Sequence, residues 1–157
     1  MGIRKNMKLL VFFIPLFIMA SGCKKEEPID NYINEVYGYN FEIPEIWKEK
    51  KDKLKVIEEE KGRIVTFTYL FECDELSRDG SECQQGFFTI SVMSKEDYEE
   101  TLSNPFTGDI LAERDEQVYL HWATLDNIIL DRETIEEFNE MCLPLDEIKD
   151  RFYLDEL

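Results

Sequence analysis

The sequence predicts an α+β fold in which helices pack against an antiparallel sheet within a single domain. Between residues 38 and 123, short apolar segments with a period of two residues alternate with turn residues, as in consecutive β-hairpins. Towards the C-terminus, at residues 135–152, the apolar period becomes helical. A helix of this kind buries one stripe of side chains against a neighbouring layer, so we expect the helices to cover the sheet.

Residues 1–22 have the order of a secretory signal peptide. Arg4, Lys5 and Lys8 give a basic start, and the run from Leu9 to Ala20 carries no charge. This apolar run has about twelve residues, whereas a membrane-spanning helix needs roughly twenty. The segment is therefore predicted to be a removable leader.

The leader ends in Met19-Ala20-Ser21-Gly22-Cys23, which resembles the lipobox of bacterial lipoproteins. Gly22 and Cys23 match its most restrictive positions, while Ala20 stands where the family usually has Leu. The resemblance implies signal cleavage between Gly22 and Cys23 and lipidation of the Cys23 sulfur. Two acyl chains anchor a protein stably, whereas one binds only marginally. The alternative is an ordinary signal peptide cut near Gly22, with Cys23 left as a free thiol.

The expected location is the extracytoplasmic face of the cell membrane, with the lipid as the contact to the membrane. Residues 23–35 are predicted to form the lipidated N-terminus and a charged, flexible tether that contains Pro28. Extended, the eleven residues from Lys24 to Asn34 reach at most about 40 Å. Residues 36–157 then form the extracytoplasmic domain.

The charge balance excludes nucleic acid as a partner. The leader holds three of the 18 Lys and Arg and none of the 35 Asp and Glu, so the remainder carries 15 basic and 35 acidic residues, a net charge of −20. Such a charge repels phosphate backbones and anionic lipid headgroups. Solubility explains it more simply than a specific cationic partner. Aromatic residues make up 13% of the chain, enough to build a core.

The first predicted strand is 38–43, where Tyr39, Phe41 and Ile43 alternate with polar residues, and Pro44 ends it. One helical turn with Ile46 and Trp47 follows.

Two further strands, 53–59 and 63–72, are joined by a tight turn at Lys61-Gly62. The second of these strands is apolar on both faces. We expect one face to lie against a packed layer and the other to be open to a partner. The side chains that share the inner face are Val65, Phe67, Tyr69 and Phe71.

The next strand is 87–93, and Ser94 is predicted to cap a helix that runs to about Leu102. Residues 110–114 and 117–123 form a hairpin. Asp131 is predicted to cap a helix with an apolar stripe, and Pro144 separates it from a last helix that carries Leu145, Ile148 and Phe152.

Three cysteines follow Cys23. Cys73 and Cys83 flank a polar, turn-rich insert, so a disulfide between them would staple a hairpin loop and contribute on the order of 2–3 kcal/mol. Export permits such a bridge without requiring it. Cys142 lies on the apolar side of a predicted helix and is expected to be a buried free thiol. The spacing lacks a CxxC pair, which argues against a zinc site.

The chain combines four features: residues 38–44 with Trp47, residues 87–92, residues 94–98 and the C-terminal apolar stripe. It resembles the small uncharacterised lipoproteins of Gram-positive bacteria that have a PsbP-like α/β sandwich domain. The resemblance covers about residues 36–153 and implies a sandwich fold. Its motifs are structural, so it implies no catalytic residues.

His121 is the only histidine in the chain and therefore the natural candidate for a general base. It alternates with Val118, Leu120 and Trp122, which predicts that it shares a polar strand face with Tyr119. No second histidine exists to complete a zinc or catalytic set. A surface or half-buried structural residue is the simpler interpretation.

The acidic loop of Asp74, Glu75, Asp79 and Glu82 offers oxygen ligands for calcium. The spacing departs from that of an EF-hand, because Arg78 stands at the fifth ligand position. A solvated loop is the simpler interpretation.

Several aromatic residues on predicted strands are candidates to line a ligand cleft, although strand spacing favours a place in the core. They are Phe67, Tyr69, Phe71, Phe88 and Trp122.

The sequence contains no nucleophile elbow, P-loop or HExxH motif, and no catalytic constellation. We therefore expect a non-catalytic binding or accessory domain that takes an envelope protein or a small ligand, without a cofactor or a metal. The alternatives are a small envelope hydrolase that uses His121 with carboxylates and a calcium-dependent adhesion module.

Overall fold

The computed structural model describes residues 30–72, 83–105, 107–124, 129 and 131–156, which form eight strands and four α-helices. The strands are β1 (Asn31–Asn34), β2 (Tyr39–Glu42), β3 (Leu54–Glu59), β4 (Ile64–Phe71), β5 (Cys83–Ser94), β6 (Asp109–Arg114), β7 (Gln117–Ala123) and β8 (Phe152–Leu154). The helices are α1 (Glu45–Glu49), α2 (Lys95–Thr101), α3 (Arg132–Met141) and α4 (Leu145–Arg151). The predicted α+β class, with antiparallel sheets and packed helices, is confirmed.

Two antiparallel sheets face each other across an aromatic core. The small sheet has the strand order β1-β2-β8 and the large sheet the order β3-β4-β5-β7-β6. The ring of Phe41, on the small sheet, lies 5.0 Å from that of Phe67 and 5.4 Å from that of Phe88, both on the large sheet. Burial of these rings is the main source of cohesion between the layers.

Strict alternation explains the central strands. Val65, Phe67 and Tyr69 are fully buried, and Phe71 is 8% exposed. All four lie on one face of β4, as the period of two residues predicts. On β2, Tyr39 and Phe41 are fully buried in the same way. The predicted inner faces of these strands are therefore confirmed.

Two helices begin at the predicted caps. The Ser94 hydroxyl accepts a hydrogen bond of 3.0 Å from the amide of Asp97, and the Asp131 carboxylate accepts one of 2.8 Å from the amide of Thr134. Each bond satisfies an amide that the first helical turn leaves without a partner.

A β-bulge in β5 allows two consecutive aromatic residues, Phe87 and Phe88, to pack against the same partner. Phe67 pairs with Phe88 and Thr68 with Gly86, which leaves Phe87 as the extra residue. As a result, Trp47 of α1 packs against both rings of β5, at 4.9 Å from Phe87 and 6.0 Å from Phe88. The Trp47 indole also donates a bond of 2.7 Å to the carbonyl of Met141, at the end of α3.

The predicted end of the tether is wrong, because residues 31–34 form strand β1. Tyr32 turns inward, and its ring meets that of Phe67 edge to face at 5.6 Å. The Asn34 side chain, only 4% exposed, donates to the carbonyl of Gly62. The segment is polar, so its composition does not indicate a strand. Its two inward positions are occupied by one aromatic ring and one hydrogen-bonded side-chain amide.

The predicted last helix also needs a correction, because it ends at Arg151 and Phe152 opens strand β8. Phe41 of β2 pairs with Phe152, and Tyr39 pairs with Leu154. The periodic apolar residues continue through this boundary, so the sequence pattern does not mark it. The partner strand that imposes the extended backbone lies more than a hundred residues away.

Arg114 joins the two sheets at one end of the sandwich. Its guanidinium donates to the carbonyl of Tyr37 at 2.8 Å and to the carbonyl of Asp155 at 3.2 Å. The hydroxyl of Tyr119 donates to the same Tyr37 carbonyl at 2.8 Å. Gly38 makes room for this arrangement: its φ is +61°, and a Cβ there would lie 2.6 Å from the guanidinium.

Candidate functional site

The prediction that Tyr119 and His121 share a polar face of β7 is wrong. Tyr119 is fully buried and His121 is 6% exposed, and both side chains lie in the core between the sheets. The imidazole of His121 sits 5.5 Å from the ring of Phe88. Val118 and Leu120, on the other face of β7, are buried as well. Alternation alone ranked the two faces incorrectly because Tyr119 satisfies its hydroxyl inside the core.

His121 does not have the surroundings of a general base. Its Nδ1 has no hydrogen-bond partner within the part of the chain that the structure describes, and it lies 3.6 Å from an oxygen of Asp109. Burial lowers the pKa of His121 below its usual value, although Asp109 raises it and Lys149 adds a smaller lowering. Asp109 is 58% exposed, whereas the hydrolase hypothesis asks for two buried carboxylates.

A second polar cluster connects β4, α3 and the turn after α1. The Tyr69 hydroxyl donates to a Glu137 carboxylate oxygen at 2.6 Å, and Lys50 contacts the other oxygen at 3.1 Å. Lys53 donates to the oxygen that Tyr69 reaches. An open polar cavity of about 330 Å³ adjoins Lys53 and Tyr69.

The groups in this cluster neutralise one another. Hydrogen bonds from Lys53 and Tyr69 lower the pKa of Glu137 to about 2. Burial and the bond to Glu137 raise the pKa of Tyr69 to about 12. A carboxylate with so low a pKa is a poor base at neutral pH, and the paired Lys53 is held in its charged form. The cluster therefore orders α3 and offers little for acid–base chemistry.

The predicted aromatic cleft does not form as one surface. Phe67, Tyr69, Phe71 and Phe88 are buried on the inner face of the large sheet. Trp122 lies on the outer face, where its indole donates to the Ser91 hydroxyl at 2.7 Å.

An apolar groove of about 390 Å³ opens on this outer face, and we call it the Trp122 groove. Helix α2 contacts β5 and β7. The groove occupies the part of the sheet towards β4. Its lining residues are Arg63, Ile64, Thr89, Ser91, Val92, Met93 and Trp122. Residues 63–70 were predicted to have a second apolar face opposite Val65, Phe67 and Tyr69, and Ile64 of that face lines the groove.

Sequence reasoning missed the groove as a unit because its residues come from separate segments that only the strand register unites. Thr89 pairs with Trp122, and Ile64 pairs with Ser91. It also missed the Glu137 cluster, and no local pattern could have indicated it, because Glu137 lies 84 residues after Lys53 in the chain.

Several predicted sites lie outside the described residues. These are the cleavage and lipidation site at Gly22 and Cys23, the half-cystine Cys73 and the acidic loop of Asp74, Glu75, Asp79 and Glu82. Where the structure does describe the chain, it shows no group of three or more potential metal-ligating side chains. No helix in that part is long and apolar enough to span a membrane.

The described cysteines differ in state. Cys142 is a free thiol, whereas Cys83 is not free. Cys142 is exposed rather than buried, which corrects the prediction. Helix α3 ends at Met141, so Cys142 has the extended backbone of the residue after the helix and leaves the apolar stripe. Because Cys73 is not described, the Cys73–Cys83 bridge stays a prediction.

Comparison of the chain with family models, with curated proteins and with solved structures finds no match.

Proposed function

We propose that this protein is a lipid-anchored domain on the extracytoplasmic face of the cell membrane that binds a small ligand or an envelope protein. The observation that carries the proposal is the order of its parts: the lipobox-like residues 19–23 stand directly before a folded domain that begins at Asn31. The resemblance to PsbP-like lipoproteins of Gram-positive bacteria belongs to the same proposal.

The short connection supports an anchoring role. Seven residues separate Cys23 from Asn31, because β1 takes up the end of the predicted tether. Their extended length is at most roughly 30 Å. A lipid on Cys23 would therefore keep the domain next to the membrane surface, within about its own diameter.

A binding role fits the side chains better than a catalytic one. His121 is enclosed in the core, and Glu137 and Lys53 are engaged with each other. The Trp122 groove, in contrast, is open and apolar, with a few polar groups at its edge. Ligand sites commonly combine these properties.

Mass spectrometry of the mature N-terminus tests the anchor. The full chain would be expressed in a Gram-positive host, and we expect an N-terminal peptide that begins at Cys23 and carries the mass of a diacylglyceryl group. Cys23→Ser should abolish both the lipid mass and the cut after Gly22. Cys142→Ser, which removes the exposed free thiol, is the matched control and should be processed like the wild type.

Protease added to intact cells tests the side of the membrane. We expect the folded domain to be digested once it is destabilised by mild denaturant, while a cytoplasmic marker stays intact. An unmodified Cys23 in the wild type, or complete protection of the domain in intact cells, contradicts the proposal.

A further inference from the structure

We infer that the Trp122 groove binds an amphiphile with an apolar body and a carboxylate head, such as a medium-chain fatty acid. This assignment deepens the proposed binding role and rests on the groove being the binding site. It does not depend on the lipid anchor.

The floor of the groove explains the apolar body. Ile64 on β4 and Met93 on β5 are half-buried, although they lie on the outer face of the large sheet. Trp122 on β7 is half-buried beside them. A volume of about 390 Å³ lies in the range of small-molecule sites, roughly 300 to 1,000 Å³. Filling it with hydrocarbon removes the apolar walls from water.

Ser91 supplies a polar group inside this apolar surface. Its hydroxyl accepts the bond of 2.7 Å from the Trp122 indole, which fixes the ring against the wall of the groove. A hydroxyl that accepts one bond still has its own proton to donate. The side chains of Thr66 and Thr89, by comparison, bond to each other at 2.9 Å. Ser91 is therefore suited to an oxygen acceptor on the ligand.

Arg63 determines the sign of the head group, because it is the one charged residue among the described residues that line the groove. Its guanidinium pairs with Glu60 three residues earlier, and the two side chains are 45% and 53% exposed. An exposed ion pair of this type contributes little to stability. A ligand carboxylate can consequently replace or share Glu60 at little cost, and the fork of Arg63 suits a carboxylate.

Because of the net charge of the whole domain, a preference for an anionic ligand would indicate recognition by Arg63. With a net charge of −20 after the leader, the protein attracts cations and repels anions. Nonspecific adsorption would therefore favour a cationic amphiphile. Tighter binding of an anionic one requires local recognition by Arg63.

Tryptophan emission provides the test, because the chain has two tryptophans and Trp47 is fully buried. The chain from Lys24 onward keeps every described helix and strand and is titrated with sodium decanoate below its micelle concentration. We expect a saturable blue shift that the Trp122→Phe variant lacks. Decyltrimethylammonium, which has a tail one carbon longer and the opposite charge, should bind at least about tenfold more weakly.

Two arginine variants complete the test. Arg63→Gln should weaken decanoate binding about tenfold, the size expected for one charge-assisted hydrogen bond. Arg132→Gln is the matched control, since Arg132 also pairs with a glutamate on its own segment, Glu136, but lies on α3 away from the groove. Circular dichroism verifies that each variant is folded.

The possible failures are distinguishable. If decyltrimethylammonium shifts the Trp122 emission as strongly as decanoate does, or if Arg63→Gln leaves decanoate binding unchanged, the carboxylate assignment is wrong and the groove remains a binding site. If neither amphiphile changes the emission of Trp122, the groove is not the binding site for amphiphiles and the whole inference falls. The mass of the mature N-terminus decides the anchor separately.

Discussion

The hydroxyl of Tyr69 donates a hydrogen bond of 2.6 Å to the carboxylate of Glu137 and so links the middle of the large sheet to α3. The bond is surrounded by aromatic packing, because Phe138, the next residue on α3, stacks on Phe87 at 5.1 Å. Polar and apolar contacts thus hold the same face of the helix. Their combination makes the position of α3 sensitive to the charge state of a single side chain.

We expect Glu137→Gln to lower the free energy of unfolding at pH 7 by about 1.5 kcal/mol, because the charged acceptor of Tyr69 and Lys53 is lost. Urea denaturation measures this change. Glu136→Gln is the control, since Glu136 is exposed and forms a local surface pair with Arg132. Equal losses in the two variants would contradict the role of Glu137.

Glu137 should also affect how the free energy of unfolding changes with pH in the acidic range. Its pKa in the fold is about 2, against an ordinary value of 4.5, so its contribution is complete above pH 4.5 and is lost as the pH falls towards 2. We therefore expect the Glu137→Gln profile to decline less steeply than the wild-type profile between pH 4.5 and 2.5. Urea denaturation of the wild type and the variant at three or four pH values in this window measures the difference.

His121 predicts a separate step at higher pH. Burial lowers its pKa in the fold, so the unfolded chain binds the proton more readily and stability is lost as the pH falls below about 6.5. The facing charges are those of Asp109 on β6 and Lys149 on α4. Because the chain has no other histidine, His121 is the only side chain whose ordinary pKa lies in this range.

The measurement is urea denaturation between pH 7.5 and 5, with the imidazole proton resonance followed in parallel. His121→Leu should flatten the profile in this range. If that variant does not fold, the resonance of the wild type still decides, since a midpoint above 6.5 in the folded protein would contradict the prediction.

Arg114→Lys should destabilise the protein by about 1–2 kcal/mol, although the charge is kept. Only the guanidinium fork reaches the carbonyls of Tyr37 and Asp155 together, and an ammonium cannot replace both bonds. Arg132→Lys, on an exposed helix surface, is the matched control and should change stability by less than about 0.5 kcal/mol. Thermal unfolding of both variants provides the comparison.

Thiol titration tests the predicted disulfide. In the chain from Lys24 onward we expect one reactive thiol, Cys142, under native conditions and three after reduction and unfolding. Cys73→Ser should cost on the order of 2–3 kcal/mol, the amount expected for opening a short loop, while Cys142→Ser should be nearly neutral. Three reactive thiols in the native protein would exclude the bridge.

The strands that could be predicted are those whose own side chains encode a buried face. β2 carries two large apolar residues at alternate positions and β4 carries four, and the caps at Ser94 and Asp131 are local interactions. The strands β1 and β8 were missed because their extended form depends on pairing with β2 across the fold. The bulge at Phe87 was missed for a similar reason, since it is defined only by the partner strand.

The candidate sites were harder to predict, because they depend on register and on which face is covered. Alternation placed Tyr119 and His121 together correctly but assigned them to the wrong side, since it cannot see the carbonyl of Tyr37 that receives the Tyr119 hydroxyl. The same error placed Trp122 in the core, whereas it lies on the outer face of the large sheet. Its hydrogen bond to Ser91 could not be predicted either, because that bond requires two strands to be aligned.

Strand β8 completes the sheet that begins with β1, so the two ends of the domain meet at β2. A chain that is synthesised amino end first presents β1 and β2 early, yet β2 has an open edge until Phe152 arrives. During that interval the exposed edge is a template for pairing with other chains. Final assembly must therefore wait until β8 is available, and a chain shortened before Phe152 should be prone to aggregation.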